Sequence, residues 1–294
     1  MNAENIAAMH MHPDWLIPDW PLPTGVRAVF TTRAGGISGA PWDSFNLGEH
    51  VGDVAQHVAG NRALLRESTG AHAVFLQQVH GAHTARVTAS TPDGQLADAS
   101  VATQAGVACT VMVADCLPVL LASPHGGVVA AAHAGWRGLA GGVAIGLAAG
   151  EGGVLESVTQ QFLANSASAN VFHPCSASET IAWLGPCIGP TAFEVGAEVK
   201  AIFEACQPGS SNCFKPAGGA KYLADLAGLA RLRLKRLGIT QIYGNYGSPA
   251  WCTASNPSRF FSHRRDTAAG FGGIDQNGSR VCSTGRMAAS IWLV

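Results

Sequence analysis

Residues 111–138 read VMVADCLPVLLASPHGGVVAAAHAGWRG. Valine, leucine, alanine and glycine fill almost the whole stretch, as in strands built to be buried. Three strands are expected here, over 107–113, 117–122 and 127–133. A hairpin across Ser123-Pro-His-Gly126 pairs residue 122 with 127 and so places Cys116 opposite His133. Opposite residues on one face stand about 5 Å apart. A one-residue slip would send them to opposite faces. The stretch therefore predicts a buried sheet with a thiol and an imidazole meeting at its end.

Working outward, 26–32 reads as a strand entering a long polar, glycine-rich loop over 33–53. Loops of that length usually have a function. A helix is expected over 54–68, and short strands over 73–78 and 84–88 flank the turn Gln78-Val-His-Gly81. Residues 139–149 are expected to be helical, although their glycines oppose it. Residues 151–180, rich in Ser, Ala, Asn and Gln, read as a peripheral segment or insertion. Short strands follow at 182–184, 241–243 and 290–293. Helices are expected over 197–206 and, from the leucine spacing, over 223–237. Residues 267–283 read as a loop. Without a regular βαβ repeat or linker, the pattern indicates one α+β domain over 25–294. Its lead-in, 1–24, is extended, with four prolines and two tryptophans in 13–24.

The chain has 294 residues, enough for a large core. Charged residues are 13% and the formal charge is −1. No basic stripe suggests nucleic acid. The cluster Arg231–Arg236 reads as a solvated helix face. No signal peptide or membrane span is evident, so a cytoplasmic protein is expected. The eight cysteines, with no CxxC pair, are expected to be reduced thiols.

A cysteine and a histidine at one spot allow three readings. They can be a nucleophile and its base. They can be two zinc ligands, with His80 as a third and one position open. Or Cys116 is a small apolar filler. Asp115 either supports this spot from behind or pairs with an arginine. Gly135-Trp-Arg-Gly138, ahead of a helix, reads as an anion site through Arg137 or as a structural turn. Arg33, Asn46 and His50 lie in the long loop, where Ser-Phe-Asn-Leu-Gly shapes a pocket wall. The segment Phe260-Phe-Ser-His-Arg-Arg-Asp266 either stacks a base or forms a salt-bridged strand edge. Cys187, in Gly185-Pro-Cys-Ile-Gly189, reads as packed.

In order along the chain, several segments resemble one family. They are Thr32-Arg-Ala-Gly-Gly-Ile-Ser38, Ser44-Phe-Asn-Leu-Gly-Glu-His50, Gln78-Val-His-Gly81, Ala97-Asp98 and Ala114-Asp-Cys-Leu-Pro-Val-Leu120. His133-Ala-Gly-Trp-Arg-Gly138, Gly185-Pro-Cys-Ile-Gly189, Phe193-Glu-Val-Gly196, Phe260–Asp266 and Thr284-Gly-Arg286 complete the set. The ordered set resembles the YfiH-type family, once called laccase-domain or multicopper polyphenol oxidases and later purine nucleoside phosphorylases.

The resemblance implies a single layered α/β/β/α domain with two mixed sheets. It implies zinc held by His80, Cys116 and His133, with copper as the alternative. It also implies phosphorolysis of adenosine, inosine, guanosine and methylthioadenosine, with adenosine deamination as a second activity. Arg33, Asn46 and Arg137 are then expected to bind substrate or phosphate. The partners would be small molecules rather than nucleic acid or membrane, and the protein a monomer or homodimer. The segments near 160–180 and 267–283 are longer than the family pattern and read as insertions. The competing readings are a copper-dependent polyphenol oxidase, a metal-free cysteine hydrolase using Cys116 and His133, and a non-enzymatic binding protein.

Overall fold

A computed structural model describes residues 11–168, 173–274 and 280–294. The elements run β1 (Val26–Phe30), α1 (Ala55–Thr69), β2 (His72–Phe75), β3 (Thr84–Arg86), β4 (Ala99–Ala102), β5 (Val107–Val113), β6 (Leu117–Ala122) and β7 (Val129–Ala134). Then come α2 (Trp136–Ala140), α3 (Val154–Ser168), β8 (Ile181–Leu184), β9 (Glu194–Gly196), α4 (Ala197–Cys206), β10 (Phe214–Gly218), β11 (Lys221–Ala224) and α5 (Leu226–Arg236). The chain closes with β12 (Gln241–Gly244), α6 (His263–Ala268), β13 (Gly272–Ile274), β14 (Arg280–Cys282) and β15 (Met287–Leu293).

Two mixed sheets carry the fold. One has the order β1-β15-β5-β2 and the other β12-β8-β6-β7-β4-β3. The expected pair is therefore present, with two small antiparallel sheets, β10-β11-β9 and β13-β14, beside it. The alternation of side chains explains the apolar runs. Val107, Cys109, Val111 and Val113 of β5 face Leu120 and Ala122 of β6 and Val129 and Ala131 of β7 across the seam between the sheets. Leu117, Val119 and Leu121, with Ala130, Ala132 and Ala134, face the opposite way, toward α3, α4 and α5. Beyond the smaller sheet, Ala108, Met112 and Trp292 pack with Leu65 of α1. The layers are helix, sheet, sheet, helix. A strand buried on both faces needs apolar residues at every position, not at every second one.

Several expectations change. The hairpin pairs Ala122 with Val129 and Pro118 with His133, a shift of two residues from the expected register. Gly126 and Gly127 both adopt positive φ (71° and 77°) and lengthen the loop. A shift of two keeps every side chain on its face. The helix expected over 139–149 is only α2 and a 3-10 turn, Gly142–Ile145, because the chain turns at Gly141 and Gly142, both at positive φ. Residues 154–168 are not peripheral. They form α3, whose Val154, Leu155, Val158 and Phe162 are fully buried against the larger sheet. Each such side chain contributes about 1.5–3 kcal/mol, which outweighs the polar composition around it. The helix expected from 223 begins at Leu226, after an Asp225 cap whose side chain accepts from Gly228 N–H; Leu223 belongs to β11 instead.

The basic cluster is a solvated face only in part: Lys235 and Arg236 are exposed, whereas Arg233 turns inward. Arg233 is buried and donates to Glu156 (2.7 Å) and Gln207 (2.8 Å), tying α5 to α3. Residues 267–283 hold the end of α6 and the β13–β14 hairpin, with 275–279 outside the described residues. Residues 1–10 of the lead-in lie outside the described residues, and residues 11–24 are tied down. Leu16 bridges Phe30, and Trp15 and Trp20 are buried. Among the described residues no helix is long and apolar enough to cross a membrane.

Candidate metal centre

The chain crosses between the two large sheets twice at one end. Residues 76–83 carry it from β2 to β3, and residues 114–116 from β5 to β6. His80 lies in the first crossing and Cys116 in the second, while His133 stands near the end of β7. Both crossings are sharp. Among the described residues, His80 and Asp115 are the non-glycine residues at positive φ (61° and 89°). Such conformations cost free energy and persist where the surroundings over-determine them.

The crossings bring the three donors together. One ligand atom from each of His80, Cys116 and His133 lies within 4.8 Å of the others. Cys116 Sγ is 3.6 Å from His80 Nε2, and the two imidazoles meet edge to face at 4.8 Å. His133 Nδ1 stands 2.9 Å from Asp98 Oδ1, which leaves Nε2 as its free ligand atom. Pro118 rather than Cys116 stands opposite His133, so the expected cross-strand pairing does not hold as read, but Cys116 still comes close to His133, and His80 joins them.

Space for the trio comes from glycine. A Cβ on Gly135 would lie 2.7 Å from His80 Cδ2 and 3.0 Å from Cys116 Sγ, and one on Gly138 would lie 2.6 Å from the Gly81 carbonyl. Glycines at 135 and 138 let α2 close against the site.

Charge is strongly redistributed here. Burial would raise the Cys116 thiol, but His133 and His80 outweigh it and bring it down to about 6. Burial would lower the His133 imidazole, but Cys116 and Asp98 raise it to about 9. Burial opposes the Asp98 carboxylate, yet His133 and the Gly81 and Val79 N–H groups hold its pKa below the usual value. The neighbours win because each stabilises the charged form directly.

The trio opens into a cavity of about 870 Å³ lined by Trp136, Arg137, Phe193, His263, Arg264 and Arg286 around it, and by His50, Arg62 and Phe75 farther along. Among the described residues, Arg137, Arg264 and Arg286 form no ion pair with a carboxylate, whereas Arg62 meets Glu49 at 2.8 Å and Asp93 at 3.2 Å. Among the described residues the Arg286 guanidinium donates to the Thr284 and Gly285 carbonyls alone, through Nη1.

Of the expected substrate residues, Arg137 lines the cavity. Arg33 and Asn46 do not. The Arg33 guanidinium is occupied by Asp43 and the Pro257 carbonyl and lies over Phe261 at 4.8 Å. Asn46 is fully buried. Its Oδ1 accepts from Gly48 and Arg286 N–H, so it shapes the wall that carries Arg286. Phe260 and Phe261 are fully buried and cannot stack a base, and from His263 onward the segment is a helix rather than a strand edge.

Asp115 pairs with no arginine side chain. It accepts from the Thr253 and Ser262 hydroxyls and from Arg264 N–H (2.6 Å), locking the start of α6, which bears Arg264, behind Cys116. Cys187 is buried and its thiol is pushed well up, by burial first. Sequence reasoning assigned no role to Asp98, Arg264 or Arg286. Their only signals were their places in Ala97-Asp98, Phe260–Asp266 and Thr284-Gly-Arg286.

Comparison with known proteins agrees with this geometry. The family model described as multi-copper polyphenol oxidoreductase laccase matches residues 27–294. The chain is 41% identical over 281 residues to a purine nucleoside phosphorylase of Pseudomonas aeruginosa, covering 95% of this chain and 98% of that one. Identity and coverage are the same for the Escherichia coli purine nucleoside phosphorylase YfiH. Among solved structures, a Neisseria meningitidis protein of the DUF152 family superposes with a TM-score of 0.75 at 39% identity, over 95% of this chain and 99% of that one. YlmD of Geobacillus stearothermophilus gives 0.74 at 30%, over 93% of each chain. On this full-length likeness, the chain belongs to the laccase-like YfiH family.

Proposed function

We propose that the chain is a zinc-dependent purine nucleoside phosphorylase acting in the cytoplasm. It takes adenosine, inosine, guanosine or methylthioadenosine with phosphate to the free base and the pentose 1-phosphate. Adenosine deamination is a second activity of the same site. The observation that carries the reading is a His-Cys-His trio opening onto a cavity whose nearest guanidiniums lack carboxylate partners. One thiolate and two imidazoles, with a fourth position free toward the cavity, suit catalytic zinc. Copper oxidases draw on more histidines than this trio supplies. When bound, the ion supplies Lewis acidity at the cavity floor.

The chain's own residues do the rest. Arg286, Arg264 and Arg137 hold phosphate by charge-assisted hydrogen bonds. Trp136, Phe193 and Met112 offer apolar surface to the base. A phosphate oxygen forms the new bond to C1′ as the C1′–N9 bond breaks. The bonding pair leaves with the purine, which takes up the proton that the hydrogen phosphate gives up. Positive charge developing on the ribose is balanced by the phosphate itself.

A second reading has an observation of its own. Cys116, His133 and Asp98 also stand in the order nucleophile, base and orienting acid, which supports a metal-free cysteine hydrolase. The test is chromatography of adenosine with zinc-loaded and chelator-stripped protein, with and without phosphate. Phosphate-dependent adenine and ribose 1-phosphate from the loaded protein alone support the phosphorylase; inosine reports the deaminase. Phosphate-independent turnover by stripped protein, blocked by iodoacetamide, overturns it in favour of the hydrolase.

A further inference from the structure

We infer that Asp98 is a positioning residue that sets both histidine ligands of the metal site at once. The inference rests on the metal reading above. Asp98 is fully buried, immediately ahead of β4. Its Oδ1 accepts from His80 N–H at 2.9 Å and stands 2.9 Å from His133 Nδ1. Its Oδ2 accepts from Val79 N–H at 3.2 Å and Gly81 N–H at 2.7 Å. Three consecutive backbone donors and one imidazole therefore converge on a single carboxylate.

Each half of that arrangement does something different. The three N–H bonds hold the 79–81 turn, in which His80 sits at φ 61° and turns its ring toward Cys116. The bond to His133 fixes its tautomer. A carboxylate only accepts, so the ring proton belongs on Nδ1 and the Nε2 lone pair is free for the ion. His133 N–H also donates to the Asp98 carbonyl at 2.7 Å, so the two residues are locked by backbone as well as side chain.

Asp98→Asn separates this role from simple space filling, because the amide has almost the same shape but one acceptor instead of two. If the amide oxygen takes the place of Oδ1, the NH2 group faces the Val79 and Gly81 donors and the turn must move. If the amide flips, the NH2 group faces His133 Nδ1. The ring must then accept there and carry its proton on Nε2, where the metal would bind. Either orientation costs one ligand.

The experiment is zinc competition with a chromophoric chelator on the purified full chain, wild type and Asp98→Asn, with the fold of each metal-free protein followed by circular dichroism. We expect one zinc per wild-type chain and an affinity about 10–100-fold weaker in the folded variant. A variant that melts earlier yet binds zinc as tightly as wild type makes Asp98 a structural acid only and overturns the inference while leaving the metal reading intact. A wild type that takes up no zinc overturns both. Should the variant fail to fold, long-range 1H–15N spectra of metal-free wild type, at a pH where the His133 ring is neutral, decide. A His133 proton on Nδ1 supports the inference, and a proton on Nε2 sinks it.

Discussion

The two ends of the cavity use the same side chains to opposite effect. At the far end, Arg62 lies over Phe75 at 4.0 Å and is neutralised by Glu49 and Asp93. At the trio, Arg137, Arg264 and Arg286 have no carboxylate partner among the described residues, and burial pushes the Arg286 pKa down. A paired arginine is part of the wall. An unpaired one beside a metal site is an invitation to an anion. Residue type alone does not distinguish them; their neighbours do.

The largest test of that contrast removes the centre of the charged end. Cys116→Ala should abolish zinc binding, measured by metal analysis, and reduce nucleoside turnover to background. Full activity with zinc still bound would break the assignment. Next, Arg286→Ala should raise the KM for phosphate roughly 10–100-fold, because charge-assisted hydrogen bonds are worth about 1.5–3 kcal/mol. The KM for nucleoside should move much less. Its counterpart, Arg62→Ala, should leave the phosphate KM within about twofold and cost about 1–3 kcal/mol in denaturant unfolding, because the largely buried Arg62 also donates to the Leu47 carbonyl. Equal effects of the two variants on phosphate would erase the distinction between the ends.

The smallest effect concerns His50, which stands between them. Burial, then Arg286 and Arg62, lower its imidazole to about 4. The unfolded chain therefore binds a proton between about pH 6.5 and 4 that the folded chain refuses, so stability falls as pH drops through that window and is fully present above it. The ring opens to solvent at the cavity, which keeps the effect modest. Denaturant unfolding at pH 7 and pH 4.5 should show His50→Gln losing less stability than wild type on acidification. An equal loss would show that the His50 ring is not the group that binds the proton on unfolding.

Much of this was legible in the chain. Strands 107–113 and 117–122 have the bounds read from their apolar runs, because continuous burial leaves an unambiguous pattern. The trio was legible as three candidate ligands, since Cys116 and His133 interrupt those runs. What escaped depends on partners distant in sequence. Helix α3 looked polar because only one stripe of it is buried. Arg233 looked solvated because Glu156 and Gln207 lie 77 and 26 residues away. Arg33 attracted a substrate role, and only the fold reveals that Asp43 and Pro257 already occupy it. Arg286 reaches the cavity because Asn46, 240 residues earlier, holds its backbone.

Asp98 and His133 continue the pairing of β4 with β7, in which Ala99 stands opposite Ala132. The same ladder that closes the sheet thus aligns acid with ring. A chain that refolded one residue out of step would bury an equally apolar sheet and look native by its secondary structure, but its carboxylate and imidazole would point apart. On the proposed metal reading, metal uptake after refolding would therefore report the fraction of chains that have zipped in the correct alignment.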